Sequence, residues 1–89
     1  MYRITAEEEC VLDDVVSQLL YAREKFPRPF VNAHEGASVI REEFDEMWDE
    51  IKADNREAAC EEAIQVAAMA IRFVIELKGR DRDKEEGRE

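Results

Sequence analysis

The sequence predicts an all-α fold with three main helices per chain and a four-helix-bundle-like core completed by oligomerisation. Three observations carry that expectation. Apolar residues recur at helical spacing in three separate windows. Only three Gly and two Pro occur among 89 residues, which disfavours a β fold rich in turns. Capping signals stand before the first and third windows.

The first helix is expected from about Thr5 to Lys25. Thr5 and Glu8 have capping-box spacing. Leu12, Val15, Val16, Leu19 and Leu20 form one apolar stripe. Glu7, Glu8 and Glu9 suit the positive end of the helix dipole, and Arg23 and Lys25 suit the negative end. The segment from Phe26 to Asn32 contains Pro27 and Pro29, and the residue before each proline is pushed toward extended backbone. Phe26 and Phe30 in such a loop either pin it to the core or line a ligand pocket.

The second helix is expected from about His34 to Lys52. Ile40, Phe44, Met47 and Ile51 make its core stripe. Glu43, Glu46 and Glu50 make a neighbouring acidic stripe, and Glu42, Asp45 and Asp49 make another. Asp54 and Glu57 repeat the capping-box spacing before a third helix that runs to about Lys78. From Ala63 to Leu77 that helix is apolar almost all round. Such a helix is buried on several sides, and in a chain this short that needs a partner subunit. Gly79 is a plausible stop. Residues 1–78 are therefore read as one helical domain. Residues 79–89, without an apolar side chain, are read as a charged, disordered tail.

Net charge is −10, most of it on residues 1–78. Binding to free nucleic acid is disfavoured, because no basic patch can displace counterions. Cys10 and Cys60 match no zinc spacing and are expected to be reduced, partly buried thiols. No N-terminal apolar run resembles a signal peptide, and no apolar run is long enough to span a membrane. A cytoplasmic location follows as the expectation.

The carboxylates carry the chemical signal. Glu43 and Glu46 lie one helical turn apart and point the same way. Glu62 opens the most apolar helix, where an unpaired buried carboxylate is costly. Facing each other across two helices, such groups suit magnesium or manganese, which prefer oxygen ligands. An acidic face in solvent is the bland alternative. A di-iron bundle needs a Glu-x-x-His pair from each of two helices. The single histidine, His34, has Val31 three positions before it.

Three strings extend this pattern. They are Asn32-Ala33-His34-Glu35-Gly36, the run from Ile40 to Ile51, and the run from Glu61 to Ala70. Together they resemble phage-type MazG-like proteins of the all-α nucleoside triphosphate pyrophosphohydrolase superfamily, over roughly residues 5–78. The family motif is Glu-x-x-Glu on one helix and Glu-x-x-Asp on the next. Glu43, Glu46 and Glu62 match it, and Gln65 stands where the family usually has Asp. The resemblance implies hydrolysis of a (deoxy)nucleoside triphosphate to monophosphate and pyrophosphate, in dimers or tetramers. It implies Glu43, Glu46 and Glu62 as ligands of Mg2+ or Mn2+, with Gln65 offering a neutral amide oxygen. Glu42 would be a second-metal ligand or the base for the attacking water. Some phage members, called MazZ, act on purine deoxynucleotides, dGTP especially. Asn32 and His34 are candidates to contact the nucleotide, unless His34 simply opens the helix in solvent. Trp48, Phe26 and Phe30 are candidates to stack on its base, unless Trp48 packs in the core or at an interface. Arg72 and Lys78 would reach phosphates, unless Arg72 instead pairs with Glu76. A helical interaction module without enzymatic activity is the alternative.

Overall fold

The computed structural model describes residues 3–87, and every regular element among them is an α-helix. They are α1 (Ala6–Lys25), α2 (Ala33–Lys52) and α3 (Arg56–Gly87). None is long and apolar enough to cross a membrane.

Helix α1 starts at the expected capping box. The Thr5 hydroxyl accepts from the Glu8 N–H at 3.0 Å, and the Glu8 carboxylate accepts from the Thr5 N–H at 2.7 Å. Two of the orphan N–H groups at the helix start are thereby satisfied. Helix α2 is capped by Asn32, whose Oδ1 accepts from the Glu35 N–H at 3.0 Å.

The turn from α2 to α3 differs from the expected Asp54/Glu57 box. Asp54 has φ 58°, in the left-handed region. Its N–H donates to the Ile51 carbonyl at 3.0 Å, and the Asn55 N–H donates to the Glu50 carbonyl at 2.9 Å. These two bonds form a Schellman motif closing α2. Asn55 then caps α3, accepting from the Ala58 N–H at 3.2 Å through Oδ1. Asp54 is consumed by the turn, so its neighbour does the capping.

Helix α3 also differs at its far end. Gly79 does not stop it, and the helix continues to Gly87. A glycine inside a helix costs only about 1 kcal/mol relative to alanine. The charged segment expected to be a disordered tail is thus helical as far as Gly87; positions 88 and 89 lie outside the described residues.

Helix α3 is the centre of the chain. Both α1 and α2 pack on it, and among the described residues α1 and α2 do not pack on each other. The core joins Val15 and Ala22 of α1 to Ala68 and Met69 of α3, with Ile40 and Val39 of α2 at its border. Ala68 is fully enclosed, because its small side chain lets a neighbouring helix come close. Phe30 is buried as well, at 2% exposure. At the start of α2, Gly36 admits the close packing of two aromatic rings. A Cβ there would stand 2.6 Å from the Phe73 ring and 3.1 Å from the Phe30 ring.

The predicted apolar stripes are only half used. Val15 is buried and Leu19 partly so, but Leu12, Val16 and Leu20 remain about half exposed. On α2, Phe44 and Ile51 are similarly open, and on α3 so are Val74 and Ile75. The radius of gyration is 15.4 Å, against about 12 Å for a compact chain of this length. Cys10 and Cys60 are both free and both exposed, contrary to their expected partial burial.

Replacing Asn55 by Ala is expected to cost about 1 kcal/mol through the lost cap. Asp54→Gly, which relieves the left-handed backbone, should instead stabilise by up to about 1 kcal/mol. Urea unfolding of both variants measures the two signs.

Candidate metal centre

Glu43 and Glu46 occupy successive turns of α2, and Glu62 lies in the second turn of α3. Packing of α2 on α3 brings the three together. One carboxylate oxygen from each lies within 4.8 Å of the others. Among the described residues this is the only group of three or more potential metal-ligating side chains. Glu46 is exposed, while Glu43 and Glu62 are half-buried.

The electrostatics of the cluster are unfavourable without a cation. Burial, followed by the charges of Glu46, Glu62 and Glu42, pushes the Glu43 carboxyl up to about 7. Burial also raises Glu62, and Glu46 and Glu50 add repulsion. The ion pairs among the described residues are Arg28–Glu35, Lys52–Asp49 and Arg72–Glu76, so none relieves the cluster. Glu62 Oε2 is buried and finds no N–H or hydroxyl donor, so only a proton shared with Glu43 or Glu46, or a cation, can satisfy it. A buried acceptor left unmatched is costly, more so when charged. Three oxygen donors and one orphaned oxygen fit a hard divalent cation such as Mg2+ or Mn2+.

A cavity of about 740 Å³ adjoins the cluster. Glu42 and Glu43 line it, together with Tyr21 and Lys25 of α1, Phe26, Arg28 and Phe30 of the loop, and Met69 and Arg72 of α3. Its size lies in the usual range for small-molecule sites, roughly 300–1,000 Å³. Aromatic and cationic groups share its wall. Lys25 Nζ sits 5.5 Å from the centres of both the Tyr21 and the Phe26 rings.

The structure sorts the residues singled out by sequence. Glu43, Glu46 and Glu62 come together as expected. Glu42 is exposed, lines the cavity and stands outside the cluster. Gln65 lines the large cavity beside Glu43 and a smaller one beside Glu62. Its Nε2 donates to Gln18 Oε1, which ties α3 to α1 and leaves the Gln65 carbonyl oxygen as the group it can offer. Asn32 spends its side-chain oxygen on the α2 cap. His34, Trp48 and Lys78 are exposed and are not among the residues lining the large cavity. Phe26 and Phe30 do line it, and Phe30 is also pinned to the core, whereas Phe26 is half exposed. Arg72 lines it too, but its guanidinium is engaged with Glu76 and the loop.

Tyr21, Lys25 and Arg28 were not foreseen as cavity residues. The available signal was the spacing of Tyr21 and Lys25, one turn apart at the end of α1 and directly before Phe26. No family model, curated protein or solved structure matches this chain.

The pH dependence of stability follows from the carboxyls. Between pH 4.5 and about 7 the folded chain keeps a proton on Glu43 that the unfolded chain has released. The Glu43 contribution to metal-free stability is therefore fully present below pH 4.5 and is lost as pH rises to about 7, while the lowered Glu35 carboxyl contributes above pH 4.5 and loses its contribution on acidification. Saturating Mn2+ should raise the melting temperature most above pH 7 and least below pH 4.5. Thermal melts across pH, with and without cation, test both statements, and Glu43→Gln should flatten the metal-free slope.

Proposed function

We propose that this chain is a divalent-cation-dependent nucleoside triphosphate pyrophosphohydrolase. One observation supports this most directly: the buried oxygen of Glu62, which no N–H or hydroxyl reaches, set within a carboxylate cluster beside a cavity of ligand size. The resemblance of the Glu43, Glu46 and Glu62 pattern to MazG-like proteins points the same way.

Glu43, Glu46 and Glu62 would hold Mg2+ or Mn2+, with the Gln65 amide oxygen as a neutral fourth donor. The cation, when bound, supplies positive charge against the phosphates and acidity to water. The substrate is a nucleoside triphosphate, with a purine deoxynucleotide such as dGTP first among those to try. Lys25 and Arg28 give the acidic chain a local cationic wall for the phosphates, while Tyr21 and Phe26 offer flat apolar surface to a base. Water adds to the α-phosphorus, the bond from that phosphorus to the bridging oxygen breaks, and pyrophosphate leaves. Glu42, free of the cluster and on the cavity wall, accepts the proton of the attacking water.

Self-association belongs to the same reading. Leu12, Val16 and Leu20 form an open stripe along α1, and Val74 and Ile75 add apolar surface on α3. Covering these faces in a dimer or tetramer would complete a bundle core. The same open faces favour the second reading, a helical interaction module that catalyses nothing.

Pyrophosphate release from a panel of ribo- and deoxynucleoside triphosphates, with Mg2+ or Mn2+, discriminates the two. Turnover should vanish with chelator, and Glu62→Gln should lower it by roughly 100-fold or more, the scale of losing a group that stabilises charge in the transition state. Turnover that survives Glu62→Gln sinks the assignment of the site, and none in the wild type leaves the interaction module. Sedimentation over a concentration series should find a dimer or tetramer, and a monomer throughout would exclude self-association.

A further inference from the structure

We propose that Arg72 and Glu76 are positioning residues that hold the loop from Phe26 to Asn32 as a wall of the ligand cavity. They would set substrate affinity rather than the chemical step, and this role rests on the hydrolase reading above.

The loop has no regular structure of its own and is held by the helices beside it. Pro27 and Pro29 lack N–H groups, and each forces the residue before it toward extended backbone. From α2, Glu35 takes the Val31 N–H at 2.9 Å and pairs with the Arg28 guanidinium at 3.4 Å; the Phe30 N–H and the Arg28 carbonyl are held from α3. A single ion pair on α3 takes one donor and one acceptor from it. Glu76 Oε1 accepts from the Phe30 N–H at 2.6 Å, and Arg72 Nη2 donates to the Arg28 carbonyl at 2.9 Å. The two side chains are joined by Arg72 Nε donating to Glu76 Oε2 at 2.6 Å. The Arg72 guanidinium also lies over the Phe30 ring, 4.0 Å from its centre. Side-chain exposures of 12% for Arg72 and 19% for Glu76 mark a largely dry pair, where such bonds are strong and hard to replace by water.

What this pair holds is cavity wall. Phe26, Pro27, Arg28 and Phe30 all line the large cavity with Glu42 and Glu43, whereas Glu76 is not among its lining residues. Glu76 therefore acts on the cavity through Phe30 and Arg72. The carboxylate cluster draws its ligands from other turns of α2 and α3 and none from the loop. Releasing the loop should thus alter ligand binding and spare the cation site.

The test compares Glu76→Ala with Glu76→Gln, which keeps an acceptor for the Phe30 N–H and nearly the same volume. In Glu76→Ala, KM should rise about tenfold with kcat within about twofold of wild type, the pattern of lost uniform binding. Glu76→Gln should lie between that variant and wild type. Hydrogen exchange should show the Phe30 amide losing protection in Glu76→Ala, and Mn2+ titration should give wild-type affinity in both variants. A merely structural role would lower the active fraction, reducing kcat while KM stays put, and that result overturns the proposal. Unchanged exchange at Phe30, or a loss of Mn2+ affinity matching the rise in KM, overturns it equally. A wild-type chain that hydrolyses no nucleoside triphosphate removes the hydrolase reading and this role together. Variants that keep KM in a chain that does hydrolyse one remove this role alone.

Discussion

Helix α2 lies on α3 so that Glu62 comes up against Glu43 and Glu46, and much of the structure can be understood from that contact. Three like charges within a few ångströms oppose folding. The chain tolerates them because the helices that carry them pack elsewhere along their length, through Ile40 and Val39 of α2 and Ile64, Ala67, Ala68 and Met69 of α3. Packing energy is thus set against electrostatic repulsion. The raised Glu43 and Glu62 carboxyls record that opposition, since each has greater proton affinity than an ordinary glutamate. A cation would satisfy the same electrostatic demand as a proton, with greater charge and more directed bonds.

Around that cluster the polar groups divide into two sets. Gln18 and Gln65 bridge α1 and α3 as a neutral pair. A carboxylate in place of Gln65 would place a further acid beside three that already repel one another. The Arg72–Glu76 pair is charged but self-compensating, and its remaining bonding capacity is directed to backbone groups of the loop. Neither set competes with the three glutamates for a ligand. Glu35 plays a comparable local part at the start of α2. Its carboxylate accepts from the Val31 N–H at 2.9 Å, and this bond holds its carboxyl below the usual range.

Much of this was legible in the sequence, for identifiable reasons. The Thr5–Glu8 box and the paired Glu43 and Glu46 depend on spacing within one helix, which the chain displays directly. Glu62 was legible because an acid at the head of an apolar run is energetically conspicuous. Other features depend on competition or on distance along the chain. Asp54 and Asn55 are both good capping residues, and only the left-handed turn at Asp54 decides that Asn55 caps α3. Gly79 reads as a stop by composition, yet its penalty is too small to end a helix alone. The division of α1 into buried Val15 and open Val16 depends on how α1 sits on α3, which periodicity leaves open by one step around the helix. The bond between Phe30 and Glu76 joins residues 46 positions apart, and no local pattern signals it.

Among the described residues α1 and α2 each pack on α3 rather than on each other, so the two sides of the cavity hang from a shared post. The acids sit on the α2–α3 side, while Tyr21 and Lys25 belong to α1. Substitutions at Tyr21 and Lys25 change the cavity wall directly, whereas a change at Gln18 reaches the neighbourhood of the glutamates through Gln65. A chain built on this plan can alter one wall of its cavity through the end of α1 while the three glutamates keep their places on α2 and α3.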